Sequence, residues 1–215
     1  MHPLALDLGP GSHLLAVAAH PDDIEIGCGG LLLRLAEECL DLSAEILIAT
    51  GEPVREAEAL RAAELFLPGC KVSVRYAQLP AGRLPAAWPR AKEFLETVAT
   101  TGRSPDLVLA PRRTDAHQDH RTLAELVPTV WRDHLVLGYE IPKWDGDLDR
   151  PWLYVPLSED QLAEKVSRLH EAFPSQVGRD WFDPEVFRGL ARLRGMECRA
   201  RYAEGFTTPK AVVRP

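Results

Sequence analysis

Residues 14–30 read LLAVAAHPDDIEIGCGG, and this stretch decides the fold. Residues 14–19 are a short apolar run, the signature of a strand buried on both faces. The run ends in His20, Pro21, Asp22 and Asp23. Three glycines follow, Gly27, Gly29 and Gly30, before an apolar-faced helix predicted over 29–40. A buried strand, a polar loop and a helix in that order form the first half of a βαβ unit.

The same alternation continues outward. Strands are predicted at 44–49, 72–77, 106–110 and 135–140, and helices at 55–66, 87–100 and 122–132, the last bent near Pro128. The predicted class is α/β, a Rossmann-like three-layer sandwich with a mostly parallel central sheet and helices on both faces. Ligands of such sheets bind beyond the carboxyl ends of the strands. After Pro142 the pattern changes. KWDGDLDRP (143–151) is turn-rich, 152–157 is a candidate edge strand, and 159–173 and 184–197 are helix-patterned. No Gly/Ser tract separates this last third. Residues 1–215 are therefore read as one domain, a motif-bearing core at 1–141 with an elaboration at 142–215 available for substrate or subunit contacts.

Composition narrows the function. With 46% hydrophobic and 27% charged residues, disorder is excluded as the main state. The 25 Lys and Arg against 32 Asp and Glu leave a net charge of −7, which argues against a nucleic-acid partner. A small anion held by local arginines stays open. Cys28, Cys39, Cys70 and Cys198 lack any C-x-x-C spacing and are read as reduced fillers. The first residues have no secretory pattern, and no apolar run approaches the ~20 residues of a membrane span. A cytoplasmic protein that self-associates as a homo-oligomer is expected.

Residues 110–123, APRRTDAHQDHRTL, put Asp115, His117, Asp119 and His120 at the end of the fourth strand, as His20, Asp22 and Asp23 stand at the end of the first. Singly, each is explained as a helix cap or a solvated loop residue. Together, two His/Asp clusters directly after buried strands have the donor composition of a zinc or iron site.

This pair of motifs, AHPDDIEIGCGG and H-x-D-H, resembles the zinc-dependent N-deacetylases known as the PIG-L or LmbE-like family. That family includes glucosaminyl-phosphatidylinositol de-N-acetylases and the deacetylases of mycothiol and bacillithiol biosynthesis. The common AHPDDE reads AHPDDI here, with Ile24 in place of the acid and Glu25 one residue later. The departure bears on the entry to the helix and leaves the ligand set intact. Carried over residue by residue, the resemblance implies His20, Asp23 and His120 as ligands of Zn2+, with Fe2+ the alternative. It implies Asp22 as general base and His117 as the group that stabilises the oxyanion or protonates the leaving amine, with Asp119 orienting its ring.

The implied reaction is removal of the N-acetyl group from an N-acetylglucosamine-type sugar or conjugate, a small molecule that can be phosphorylated or nucleotide-linked. The chemistry also has its own logic. Three protein ligands leave a position for water, whose pKa the metal lowers toward ~7. Adjacent Asp22 and Asp23 in an irregular loop aim differently, so one can bind metal while the other takes a proton. Cleavage of a glucosamine thiol conjugate and a non-catalytic Rossmann-like module are the competing functions.

The glycines invite a dinucleotide reading, but Leu32 stands where that fingerprint needs its third glycine. They are read as allowing close packing at the helix start, and no nucleotide cofactor is expected. Arg55, in TGEPVREAEALRAAE (50–64), matches a family arginine near the substrate, with pairing to Glu58 as the bland reading. Arg188 and Arg192 have helical spacing suited to a phosphate, with a solvated helix as the alternative. Trp144, Trp152 and Trp181 are candidate sugar platforms or packing residues. His2, His13, His134 and His170 have no ligand-like neighbours.

Overall fold

The computed structural model describes residues 3–212, so His2 lies outside the described residues. In chain order the elements are β1 (His13–Ala18), α1 (Asp23–Glu38), β2 (Ser43–Thr50), α2 (Pro53–Phe66), β3 (Lys71–Leu79), α3 (Trp88–Thr101), β4 (Leu107–Pro111), α4 (Gln118–Val130), β5 (Val136–Tyr139), β6 (Leu153–Leu157), α5 (Glu159–Ala172), α6 (Pro184–Cys198) and β7 (Tyr202–Thr207). Short 3-10 turns lie at Leu84–Ala87 and Pro174–Gln176.

The strands form one sheet in the order β3-β2-β1-β4-β5-β7-β6. The first five run parallel, and β7 and β6 join antiparallel. Side chains alternate along a strand, so β1 feeds both layers. Leu14, Ala16 and Ala18 enter a core shared with α1, α2, α5 and α6, while Leu15, Val17 and Ala19 enter one shared with α3 and α4. This is the three-layer sandwich the strand–helix alternation predicts. β1 and β4 are neighbours, with Leu14 opposite Leu107 and Ala16 opposite Leu109, and the chain departs from them in opposite directions along the sheet. That reversal is the switch point at which α/β sheets open their ligand crevice. No helix among the described residues is long and apolar enough to cross a membrane.

The structure departs from the sequence expectations in three places. α4 begins at Gln118, four residues before the predicted start at 122, and so takes in Asp119 and His120. The final strand, β7, lies in a stretch for which no element was predicted. It is buried from Tyr202 to Phe206, but Glu204 and Gly205 leave it neither a continuous apolar run nor polar alternation. The first helix begins at Asp23, six residues before the predicted start at 29. The reason is a break inside it, at Cys28 (φ −142°, ψ 22°).

A helix break frees backbone groups that must find other partners. Here the amides of Gly30 and Leu31 donate to the Glu204 carboxylate of β7 at 2.7 and 2.8 Å. The Ile26 carbonyl accepts from Lys165 Nζ of α5 at 2.7 Å, and Lys165 pairs with Glu204 at 2.7 Å. The sequence reading placed its helix start where the second segment begins.

The glycines allow this approach. A Cβ on Gly27 would stand 2.5 Å from the Tyr139 ring, and one on Gly30 would stand 2.6 Å from Leu157. Tyr139 is fixed by its hydroxyl, which donates to the Val17 carbonyl of β1 at 2.7 Å. Gly27→Ala is therefore expected to cost about 1–3 kcal/mol, the usual scale of overpacking. Urea unfolding checks it, and an unchanged midpoint would show that Tyr139 moves aside freely.

Candidate metal centre and active site

The loops after β1 and β4 bring residues a hundred positions apart into contact. His20 Nδ1 lies 3.2 Å from His120 Nε2. Asp23 Oδ2 lies 3.5 Å from the first and 3.4 Å from the second. Each edge of this triangle approaches the edge of a tetrahedron whose bonds are ~2.0–2.1 Å, which is about 3.3 Å. Two imidazole nitrogens and one carboxylate oxygen also make a donor set suited to zinc and iron. The residues fit a divalent metal.

The three histidine rings converge as well, with one ligand atom each of His20, His117 and His120 within 4.8 Å of one another. The tighter focus is the one that includes Asp23. His117 borders it, its ring centre 4.8 Å from that of His20 and 4.7 Å from that of His120.

Local structure explains each placement. Asp23 opens α1, and its Oδ2 accepts from the amides of Ala19 and His20 at 2.9 and 2.8 Å, which closes the loop back onto the strand end. Asp22 occupies the N-cap position but caps nothing. Its side chain turns to Arg55 of α2, with Oδ1 2.9 Å from Nη2. The buried Oδ2 has no partner among the described residues. An orphaned carboxylate oxygen beside a candidate metal site points to use in chemistry, because leaving it unpaired is costly. In α4 the cap is His117, whose Nδ1 accepts from the Asp119 amide. The ring tautomer follows from that bond: Nδ1 is the acceptor, so neutral His117 carries its proton on Nε2.

Carboxylates stand behind both His20 and His120. Asp119 Oδ2 lies 3.4 Å from His20 Nε2, and Asp115 Oδ2 lies 3.0 Å from His120 Nδ1. Such outer partners fix the ring and its tautomer in metal sites. Asp119, expected to orient His117, meets that ring through its backbone amide and not through its carboxylate. The Asp119 carboxylate accepts from the amides of Gly82 and Leu84 at 2.6 and 2.9 Å and faces His20.

The field at the focus favours positive charge. Burial alone would lower the pKa of His20, but the Asp23 charge and the Asp119 contact outweigh it and raise the ring to about 10. Burial is outweighed at His120 too, by Asp23 and Asp115, and that ring rises to about 9. Burial would raise Asp23, yet the two rings hold it well below the usual carboxylate range. At Asp22 burial prevails over Arg55 and the pKa is raised, a direction suited to a group that takes up a proton. Burial and the neighbouring rings lower His117, which keeps it neutral.

Arg55 serves several neighbours. It pairs with Asp22, lies 3.7 Å from Glu58, donates to Ser175 Oγ at 3.4 Å and stacks over Phe173. The Glu58 pairing weighed from sequence is present, and the same side chain also reaches Asp22. Glu58, buried, accepts from the Ser175 amide and hydroxyl, both at 2.7 Å.

The C-terminal arginines stand apart. Arg192 is exposed and donates to the Arg201 carbonyl, and neither it nor Arg188 hydrogen-bonds a residue of the two clusters. The buried arginine of that helix is Arg194, which grips Glu140 through two 2.7 Å bonds. Trp144 and Trp181 meet edge to face at 6.5 Å, and Trp144 and Trp152 are exposed. His13, His134 and His170 bond Ser43, Ser104 and the Val166 carbonyl, away from the centre.

Sequence reasoning missed a network behind Asp115. Lys143 donates to Asp115 Oδ2, the Ile141 carbonyl and Asp147 Oδ2, each at 2.9 Å. Asp147 also accepts from the Ala116 amide at 2.7 Å and lies 3.0 Å from Arg112 Nη2. The one available signal was the opposite charges at 143 and 147 in a turn-rich stretch.

Comparison with known proteins accords with this geometry. A family model described as PIG-L, GlcNAc-PI de-N-acetylase, matches residues 15–131, which include both His/Asp clusters. YaiS of Escherichia coli K12, described as an uncharacterized deacetylase, is 27% identical over 165 residues, covering 73% of this chain and 88% of YaiS. The N,N'-diacetylchitobiose deacetylase of Pyrococcus horikoshii superposes with a TM-score of 0.70 at 19% identity, covering 92% of this chain and 83% of that one. GalB of Pseudomonas putida, a 4-carboxy-2-hydroxymuconate hydratase, superposes with a TM-score of 0.69 at 17% identity, covering 95% and 98%. At such identities the two structures show the fold alone, and that fold serves more than one reaction.

Proposed function

The chain belongs to the PIG-L family, and from that membership we propose that it is a zinc-dependent N-deacetylase that hydrolyses the acetamido group of an N-acetylglucosamine-type sugar or its conjugate. The observation that carries the reading is the 3.2–3.5 Å triangle of His20, Asp23 and His120 beside the unpartnered Asp22 Oδ2. The family match and the description of YaiS favour deacetylation over the hydration named for GalB.

His20, Asp23 and His120 would hold the metal, which when bound supplies Lewis acidity toward a carbonyl and lowers the pKa of water. The remaining work falls to the chain. Arg55 fixes Asp22 through Oδ1, which leaves Oδ2 to take the proton of the attacking water. His117, neutral and protonated at Nε2, offers a hydrogen bond to the oxygen on which negative charge develops. The proton on Asp22 then passes to the departing amine, so that acetate and a free amino sugar leave.

The test is acetate release across N-acetylated sugars, sugar phosphates, nucleotide sugars and thiol conjugates, with metal content measured on the same samples. The expected result is release from at least one N-acetylglucosamine derivative, abolished by chelation and restored by zinc. A zinc-loaded protein that releases no acetate from any of them would overturn the reading.

A further inference from the structure

The turn-rich segment after β5 reaches back to the metal centre through a single ammonium group. We propose that Lys143 is a positioning residue for that centre: it holds the Asp115 carboxylate against His120 and so sets how tightly a divalent cation is gripped. The inference rests on the reading of His20, Asp23 and His120 as the ligand set.

An ammonium has three N–H donors, and Lys143 uses them on Asp115, Ile141 and Asp147 at 2.9 Å each. A lysine that only clamped its own loop would find its partners there. Lys143 finds two partners there and crosses with its third donor to a carboxylate 28 residues earlier, itself fully buried. The same Oδ2 stands 3.0 Å from His120 Nδ1, off the straight line of the ring N–H. A contact so aligned does not fix the carboxylate by itself. What holds Asp115 is Lys143 on one oxygen and the His117 amide, at 2.8 Å, on the other.

Asp147 reinforces the arrangement, because it grips the Ala116 amide and Arg112 on either side of Asp115. The orientation of His120 is therefore set through Asp115 by a segment outside both sequence motifs. Outer partners of metal-bound histidines are worth 10–100-fold in affinity. Lys143 acts one step further out, and about 10-fold is expected.

The experiment is zinc affinity by competition with a chromophoric chelator, on the unaltered protein, Lys143→Met, Asp115→Asn and the double variant. Melting of the metal-free proteins and the visible spectrum of the cobalt-loaded ones are recorded alongside. The expected result is about tenfold weaker zinc binding in Lys143→Met and an altered cobalt spectrum, with a lowered metal-free melting temperature because Asp115 and Asp147 lose their shared cation. In the Asp115→Asn background, removal of Lys143 should add little, because its effect passes through that carboxylate.

Affinity within twofold of the unaltered protein, or the full loss repeated in the Asp115→Asn background, would overturn the proposal. Should Lys143→Met fail to fold, Lys143→Gln carries the same measurements. Collapse of both would make Lys143 a structural clamp and end the proposal too. Failure of the unaltered protein to bind zinc would remove the ligand-set reading itself, an outcome separate from indifference to Lys143.

Discussion

Asp22→Asn is expected to keep its metal and its fold while losing about 10²–10⁴-fold in turnover, the scale of a lost acid–base group. Asparagine keeps a carbonyl oxygen where Oδ1 accepts from Arg55, and it matches the carboxylate in volume. What changes is the second position, where an amide nitrogen replaces the one oxygen without a protein partner. That nitrogen cannot take a proton from water. Asp23 is the proposed ligand and stays, so elemental analysis should find the metal content of the unaltered protein. The KM should move little, because Asp22 is assigned to proton transfer and not to substrate binding. The effect should also differ in kind from that of Asp23→Asn, which replaces a ligand and is expected to lower metal content together with rate. Near-normal turnover in Asp22→Asn would remove Asp22 from the mechanism, whatever the metal content.

Why the site was legible follows from where its residues sit in the chain. A strand buried on both faces advertises itself by composition alone, and in a parallel sheet its carboxyl end must face the crevice. The 14–19 and 106–110 runs therefore place both His/Asp clusters at the carboxyl ends of strands, and the family resemblance singles out His20, Asp23 and His120 among them. Sequence could not reveal that β1 and β4 are neighbours, because strand order is a property of the assembled sheet. Asp119 shows the same limit on a smaller scale. Its nearest histidines in sequence are His117 and His120, and that proximity made it seem the partner of His117. Once His117 caps α4, the Asp119 side chain projects toward the turn at Gly82 and meets His20 from the other motif. Lys143 was invisible for a related reason. A lone lysine in a turn-rich stretch reads as solvated, and only the path of the chain after β5 brings it to Asp115. β7 was missed because, although buried, YAEGFT carries Glu204 and Gly205 and so shows neither a continuous apolar run nor polar alternation.

The largest stability effect is expected at Lys165, where a charge holds a broken helix together. Lys165→Met should destabilise the protein by about 3–5 kcal/mol, the range for breaking one side of a buried ion pair. Two losses combine: Glu204 keeps its charge in a buried site without its cation, and the Ile26 carbonyl freed by the break at Cys28 loses its donor. Against a typical total of 5–15 kcal/mol that is a large fraction, equivalent to a fall in melting temperature of roughly 6–20 °C. Glu204 still satisfies the amides of Gly30 and Leu31, where a carboxylate is favoured by the start of the second helical segment. Glu204→Gln should therefore be harmful alone, but in the Lys165→Met background it should recover part of the loss by removing the uncompensated charge. Urea unfolding of the four proteins measures the coupling. A cost below about 1 kcal/mol for Lys165→Met would mean that the break in α1 is stable without its ion pair, as an ordinary exposed pair would allow. A large cost with strong coupling would tie the geometry of Asp23, at the head of the first segment, to a charge pair supplied by α5 and β7. The last third of the chain would then be part of what builds the centre, although it carries none of the motif residues.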